Sequence, residues 1–324
     1  MKIANSISQI ELQSDSVLTI GTFDGVHRGH QRLIGGMIES AQRHNRASIV
    51  LSFHPHPRSV IAPGAAAPPY LTTPEERAAI LEKLGLDWLL ILPFTQELAR
   101  TPAEVFVTEL YTRLRVRELW VGPDFALGRA RRGDVPFLRV LGERLGYSLH
   151  VVEPLLEGGE VISSTRIRLL LQEGRVAEAA NLLGRTYTIW GPVIAGEQRG
   201  RALGFRTANL RLDPNRAIPA LGVYAVWVCL GVGPLPEGTL YPAVANVGVH
   251  PSFGASAEPL LEVHLMDYEG DLYGETLGVG FVERLRPEMT FPSANALVAQ
   301  IKKDVERTRQ LLTPEAPRPQ CQDR

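Results

Sequence analysis

The sequence predicts an α/β half followed by a β half: a doubly wound parallel sheet, then a small antiparallel β structure with a closing helix. Three observations lead there. Apolar, strand-like runs alternate with helix-like segments up to about residue 184. From Thr186 to about Leu285, short strand-like segments are separated by Gly, Pro and Asn turns. Last comes Ala294–Leu312, where Leu297, Val298, Ile301 and Val305 recur at helical spacing.

In the first half, Val17–Ile20 reads as a strand and Gln31–Arg43 as a helix. Ala47–Phe53 and Trp88–Leu92 are runs apolar enough to be strands buried on both faces. Thr73-Pro74-Glu75-Glu76 gives a cap, a proline at the first helical position and acids in the first turn. The same logic starts a helix at Thr101-Pro102-Ala103-Glu104, running to about Leu114. Glu118–Val121 is a strand, Gly133–Leu145 a helix and Ser148–Val152 a strand. Two short helical segments fill Leu169–Gly184. In the second half the strands are Tyr187–Ile194, Gly222–Leu230, Leu240–Asn246, Leu260–Met266 and Leu277–Glu283, which suit a barrel or a sandwich. The expected organisation is residues 1–184, residues 185–312, and a proline-rich tail over 313–324.

The chain has 324 residues, with 34 Lys plus Arg against 35 Asp plus Glu, so no basic field invites nucleic acid or an anionic membrane. Cys229 and Cys321 are the only cysteines, and neither a disulfide framework nor a zinc site follows from them. The N-terminal residues lack an apolar signal core and no run of 18 apolar residues occurs, so a cytoplasmic enzyme without membrane partners is expected. Self-association is left open.

The chemistry concentrates in Ile20–His30, IGTFDGVHRGH, between a strand and a helix. A helix mouth offers free N–H groups and a positive dipole end to an anion. Gly21, Gly25 and Gly29 let the main chain approach a phosphate, and His27 and His30 supply donors, stronger if protonated. Phe23 and Asp24 lie within the same turn. HxGH alone also fits a tight turn bearing two surface histidines. Four further patches accompany it: SFHPHP with His54 and His56, VGPDF with Asp124, the basic LGRARRGD, and ISSTRIR with Ser164, Thr165, Arg166 and Arg168 opening a helix. In the second half, EQRGRALGFRTANL sets Gly200 and Gly204 to lie over phosphates, with Arg199 and Arg201 as charge. Its Thr207 and Asn209 offer neutral oxygens of the kind Mg²⁺ accepts beside ATP. LLEVH puts Glu262 and His264 on one face of a strand, where Glu262 could act as a base.

Taken together and in order, IGTFDGVHRGH, PHP, VGxDF with RxGD, and ISSTRIR resemble the adenylyltransferase module of bacterial FAD synthetases, in the HxGH nucleotidylyltransferase superfamily. The resemblance spans Val17 to about Leu170. It implies attack of an FMN phosphate on the α-phosphorus of ATP, with His27 and His30 stabilising the transition state. Gly21, Phe23, Asp24, Gly29, Ser164, Thr165 and Arg168 would then bind the nucleotide, while His56 and Asp124 would face the flavin. RGRxLGFxTANL, GVYAV, ANVGVHPSF, EVHL and LYG are similar to riboflavin kinase over about Tyr187 to Lys303. That similarity implies a small barrel phosphorylating riboflavin with ATP. Thr207 and Asn209 would hold Mg²⁺, Arg199, Gly200, Arg201 and Gly204 the nucleotide, and Glu262 would be the base. Three positions depart from the family pattern: Ala126 and Leu127 stand where arginine and phenylalanine are usual, and Arg206 where the usual residue is proline. An FAD synthetase with a weakened kinase half and a flavin-binding regulator are the competing readings. His27, His30, Thr207, Asn209 and Glu262 argue against the regulator, since binding alone needs neither a base nor transition-state histidines.

Overall fold

The computed structural model describes residues 1–62, 67–194, 205–231, 239–250 and 258–313. They fall into two compact units, residues 1–68 with 72–163, and residues 69–71 with 164–324.

The first unit is built on six parallel strands: β1 (Lys2–Ala4), β2 (Ser16–Ile20), β3 (Ala47–His54), β4 (Trp88–Pro93), β5 (Val116–Val121) and β8 (Ser148–Val151), in the order β1-β4-β3-β2-β5-β8. The chain runs from β2 outward through β3, then returns to the other side of β2 at β5. The strand order therefore reverses between β2 and β5, and ligands of such sheets bind at the carboxyl ends beside that reversal. The loops after β2 and after β5 flank this crevice. Helices α1 (Arg28–Arg43), α3 (Pro74–Lys83), α5 (Ala103–Leu114) and α6 (Val135–Leu145) provide the crossovers. Leu18, Ile49, Leu51 and Leu90 pack on one side of the sheet with Phe106 and Leu110, and Val17, Val50 and Leu89 pack on the other with Ile34 and Met37.

Several boundaries moved from their sequence expectation for local reasons. Helix α1 starts at Arg28, because His27 itself caps it. Thr101 closes the short helix α4 (Gln96–Arg100) through its N–H to Leu98, and α5 begins after Pro102 without a side-chain cap. Asp134 caps α6, so that helix starts at Val135 rather than Gly133. Thr73 and Glu76 form the expected capping box on α3. The edge strand β1 and the short pairs β6–β7 (Ala126–Leu127 with Gly133–Asp134) and β9–β10 (Leu156–Glu157 with Glu160–Val161) carried no pattern long enough to read.

One buried carboxylate ties the sheet to the far end of α1. Glu118 on β5 accepts from Ser40 Oγ at 2.7 Å, Trp120 Nε1 at 3.0 Å and Arg46 at 2.7 Å, with His44 and His150 each within 3.5 Å. Burial pushes its pKa up, but these donors and charges outweigh that and hold it below the ordinary glutamate value. Its stabilisation is therefore complete above the unfolded-chain value and lost as pH falls through the lower folded one. Glu118→Gln should cost roughly 3 kcal/mol of unfolding free energy, as expected when one partner of a buried ionic cluster is removed. Chemical denaturation at neutral pH measures that loss, and the difference from wild type should shrink under acid conditions.

The second unit opens with α7 (Ser164–Gln172) and α8 (Val176–Leu183) and continues into a closed antiparallel barrel. Its strands are β11 (Tyr187–Ile194), β12 (Ala208–Arg211), β13 (Gly222–Leu230), β14 (Leu240–His250), β15 (Glu258–Leu265) and β16 (Thr276–Arg286), in the order β11-β12-β15-β14-β13-β16. β16 returns to β11 with Tyr187 opposite Phe281, so no edge is left. That closure selects the barrel over the sandwich. Leu210, Val226, Val228, Leu261, Val263, Val279 and Phe281 are buried. The closing helix Ala294–Leu311 is capped by Ser293 and tied to β16 by the buried Arg286–Asp304 pair. Strand β12 was missed because its four residues are too short a run to show alternation. Cys229 is buried in β13 and disulfide-bonded, which the sequence reading did not expect.

Candidate active sites

The loop leaving β2 is shaped by unusual backbone. Phe23 and Val26 adopt positive φ of 46° and 37°, and Gly25 takes 79°. Conformations of this kind persist only where the surroundings impose them. Gly21 is required by contact: a Cβ there would sit 2.9 Å from the Phe23 ring. At Gly29 a Cβ would come within 3.2 Å of the His27 ring, so that glycine makes room for the imidazole.

The two histidines form one unit. Their rings stack with centroids 3.6 Å apart and planes 18° off parallel, and Phe23 meets His30 edge-on at 5.2 Å. His27 Nδ1 accepts the backbone N–H of His30 at 3.3 Å, capping α1. An accepting Nδ1 carries no proton, so His27 has its N–H on Nε2. The pKa of His30 is pushed well below the ordinary histidine value, first by desolvation, then by the neighbouring His27 and Arg77. The sequence allowed a protonated pair; the fold disfavours the charged form of His30. A neutral imidazole still has one N–H to donate.

Behind the loop lies a network that sequence reading missed. Asp24, expected at the nucleotide, is buried and accepts from Thr72 N at 3.0 Å and Thr72 Oγ1 at 3.3 Å. The Thr72 hydroxyl oxygen accepts from Gly25 N at 3.0 Å. Buried Arg77 donates to Ser52 Oγ at 2.7 Å, and Ser52 Oγ donates to Thr22 O at 3.2 Å. The segment holding Thr72 and Arg77 had registered only as a helix start, and its polar residues gave no separate signal.

His56 follows the cis peptide His54–Pro55 and caps α2 (Pro57–Ile61), its Nδ1 accepting from Arg58 N at 3.2 Å. Asp124 is exposed in the turn after β5, its carbonyl accepting from Arg131. In the second unit, Ser164 and Thr165 begin α7, and Arg168 Nε donates to Pro69 O at 2.6 Å.

The barrel assembles a polar row across three strands. Asn209 on β12 stands opposite Glu262 on β15, and Glu262 stands opposite Asn246 on β14. Directly paired residues of an antiparallel ladder share a face. Asn209 is buried and Glu262 half-buried, while their neighbours Leu210, Leu261 and Val263 turn inward. Asn246 lay inside a quoted motif without being singled out; only register shows it beside the base. Thr207 is exposed just ahead of β12. The carbonyl of Arg206 lies 2.8 Å from His264 Nδ1, so a side chain of β15 secures the backbone where the family's proline is missing. Arg199, Gly200, Arg201 and Gly204 lie outside the described residues.

The FAD synthetase family model matches residues 9–166, and the riboflavin kinase model matches residues 183–312. A bifunctional riboflavin kinase/FMN adenylyltransferase of Escherichia coli strain K12 is 39% identical over 307 residues, 94% of this chain and 96% of its own length.

This chain belongs to the bifunctional riboflavin kinase/FMN adenylyltransferase family.

A family member from Listeria monocytogenes is 33% identical over 91% of the chain and 92% of its own length. A crystal structure titled a macrolide-efflux protein, from Streptococcus pneumoniae, is 32% identical with a TM-score of 0.85, covering 95% of this chain and 98% of that one. In the present chain no described helix is long and apolar enough to cross a membrane. The family supplies an adenylyltransferase module where the stacked histidines stand and a kinase module where Glu262 stands, in the order the motifs required.

Proposed function

We propose that residues 1–184 perform adenylyl transfer and residues 185–312 the kinase step, with 313–324 a tail outside both. The chain is a two-activity enzyme of flavin-cofactor synthesis. Riboflavin takes the γ-phosphate of one ATP at its ribityl 5′-hydroxyl, giving FMN and ADP. The FMN phosphate then attacks the α-phosphorus of a second ATP, giving FAD and pyrophosphate. The observation that carries the reading is the stacked His27–His30 pair at the mouth of α1, next to the strand-order reversal.

For adenylyl transfer, the α-phosphate collects negative charge as FMN attacks. Preorganised donors aimed at that charge lower the barrier without reorganising. His27 donates through Nε2–H and His30 through its remaining N–H, neither forming a covalent bond. Gly21 and Gly29, assigned to the nucleotide on the family resemblance, make room for the Phe23 and His27 rings, Phe23 fixes the His30 ring, and Asp24 holds the loop. Ser164, Thr165 and Arg168 are assigned to the triphosphate, and His56 and Asp124 to the flavin side, on the family resemblance.

For phosphorylation, Glu262 takes the proton of the 5′-hydroxyl as the oxygen attacks, with Asn209 and Asn246 flanking it. Thr207 and Asn209 fit Mg²⁺, since their oxygens are neutral and hard and one lies beside a carboxylate. The ion, when bound, neutralises charge on the transferred phosphate. Arg199, Gly200, Arg201 and Gly204 are assigned to the ATP phosphates. ATP, riboflavin and FMN are the partners, and the near balance of charge supports cytoplasmic work away from nucleic acid and membranes.

Incubation with riboflavin, ATP and Mg²⁺, followed by chromatography, should show FMN and then FAD. Excess EDTA should stop both steps, and restored Mg²⁺ should revive them. Full turnover in EDTA would remove the metal from the mechanism, and flavin binding without any product would leave only the regulator reading.

A further inference from the structure

We propose that Arg77 is a positioning residue of the adenylyl-transfer site, acting on the 21–27 loop through Ser52 and on His30 through its charge. The inference rests on the adenylyltransferase reading above and extends it to a residue outside the phosphate loop.

Arg77 is 7% exposed, on the first turns of α3. Burying a guanidinium is costly, and proteins tolerate it where its donors and charge are used. One of its donors goes to Ser52 Oγ, and Ser52 passes the interaction on to Thr22 O, within the turn that carries Phe23 and the histidines. Its Nε is buried with no acceptor, so the group is not fully satisfied by the protein alone. Asp24, Glu75 and Glu76 face it with opposite charge, and burial outweighs them to lower its own pKa while it remains cationic. Asp24 is in turn fastened to Thr72, which fastens Gly25. The cation and the carboxylate thus grip the same loop from two sides, one at Thr22 and one at Gly25.

Arg77 also bears on His30 electrostatically. Arg77 is one of the charges that disfavour protonation of His30, after desolvation and His27. Removing it should let His30 take a proton more readily. A residue that merely filled space would change stability without moving that equilibrium.

The test compares Arg77→Met, Arg77→Lys and Ser52→Ala in the full chain, with circular dichroism and thermal unfolding as the measure of folding and riboflavin phosphorylation as the control activity of the second unit. Arg77→Met should lower kcat for FAD formation by about 10²-fold, the scale of a small misplacement of catalytic groups. KM for FMN should change much less, and the kinase rate should be retained. Imidazole NMR, with His30 identified by its absence in His30→Ala, should show its titration midpoint rising in Arg77→Met. Arg77→Lys keeps the charge and should leave the midpoint near wild type while restoring part of kcat. Ser52→Ala breaks only the link to Thr22, so kcat should fall with the midpoint unmoved. If Arg77→Met does not fold, the lysine and Ser52 variants carry the test: an unchanged kcat in Ser52→Ala, or a raised midpoint in Arg77→Lys, overturns the proposal. So does a folded Arg77→Met with an unmoved midpoint, or with both activities falling together. Absence of FAD formation by the wild-type chain would instead sink the adenylyltransferase reading itself.

Discussion

His30→Ala should nearly abolish FAD formation and leave riboflavin phosphorylation intact. The ring is stacked on His27 and edged by Phe23, with its charged form disfavoured by burial, so its donor is fixed before substrate arrives. Losing one such preorganised donor costs about 3–4 kcal/mol of transition-state stabilisation, a fall of roughly 10²–10³-fold in kcat. Alanine preserves the backbone N–H that His27 accepts, so α1 keeps its cap and the fold should survive. The barrel's polar row draws on none of these atoms. The measurement is FAD production from supplied FMN and ATP beside FMN production from riboflavin. Equal loss of both activities in a folded variant would contradict the two-site assignment.

Glu262→Gln should do the opposite. Glutamine keeps the shape of the side chain beside Asn209 and Asn246 but cannot accept the hydroxyl proton. A positioned general base contributes about 10²–10⁴-fold, and kinase kcat should drop on that scale. Given FMN, the variant should still make FAD at the wild-type rate. Given only riboflavin, it should make little of either product, because the first step starves the second. A kinase rate within a few-fold of wild type would show that Glu262 is not the base and that another group takes the proton.

Much of the architecture was legible because its signals are local. The apolar run of Ala47–Phe53 could be only a buried strand, and Thr73 with Glu76 announced a helix through chemistry confined to four residues. The HxGH, TAN and EVH motifs were legible for the same reason: each is a short run whose residue types suit one kind of chemistry. Alternation along Leu260–His264 even assigned Glu262 to a face, since side chains on a strand must alternate.

What the sequence determined by itself, then, was the order of elements, the α/β-then-β division, the helix mouth with its two histidines, and the strand bearing the base. Tertiary structure alone decided the rest. Closure of β16 onto β11 made the β half a barrel, since pairing between residues some ninety positions apart has no local signature. Register across β12, β15 and β14 put Asn246 beside Glu262, because neighbours in a sheet are set by hydrogen-bonded pairing and not by spacing along the chain. Burial disfavours the charged form of His30, an effect that depends on everything packed around the ring. Arg77 and Ser52 gained their roles the same way: one on a helix and the other on a strand, 25 residues apart, they meet only because the chain folds them against the back of the phosphate loop.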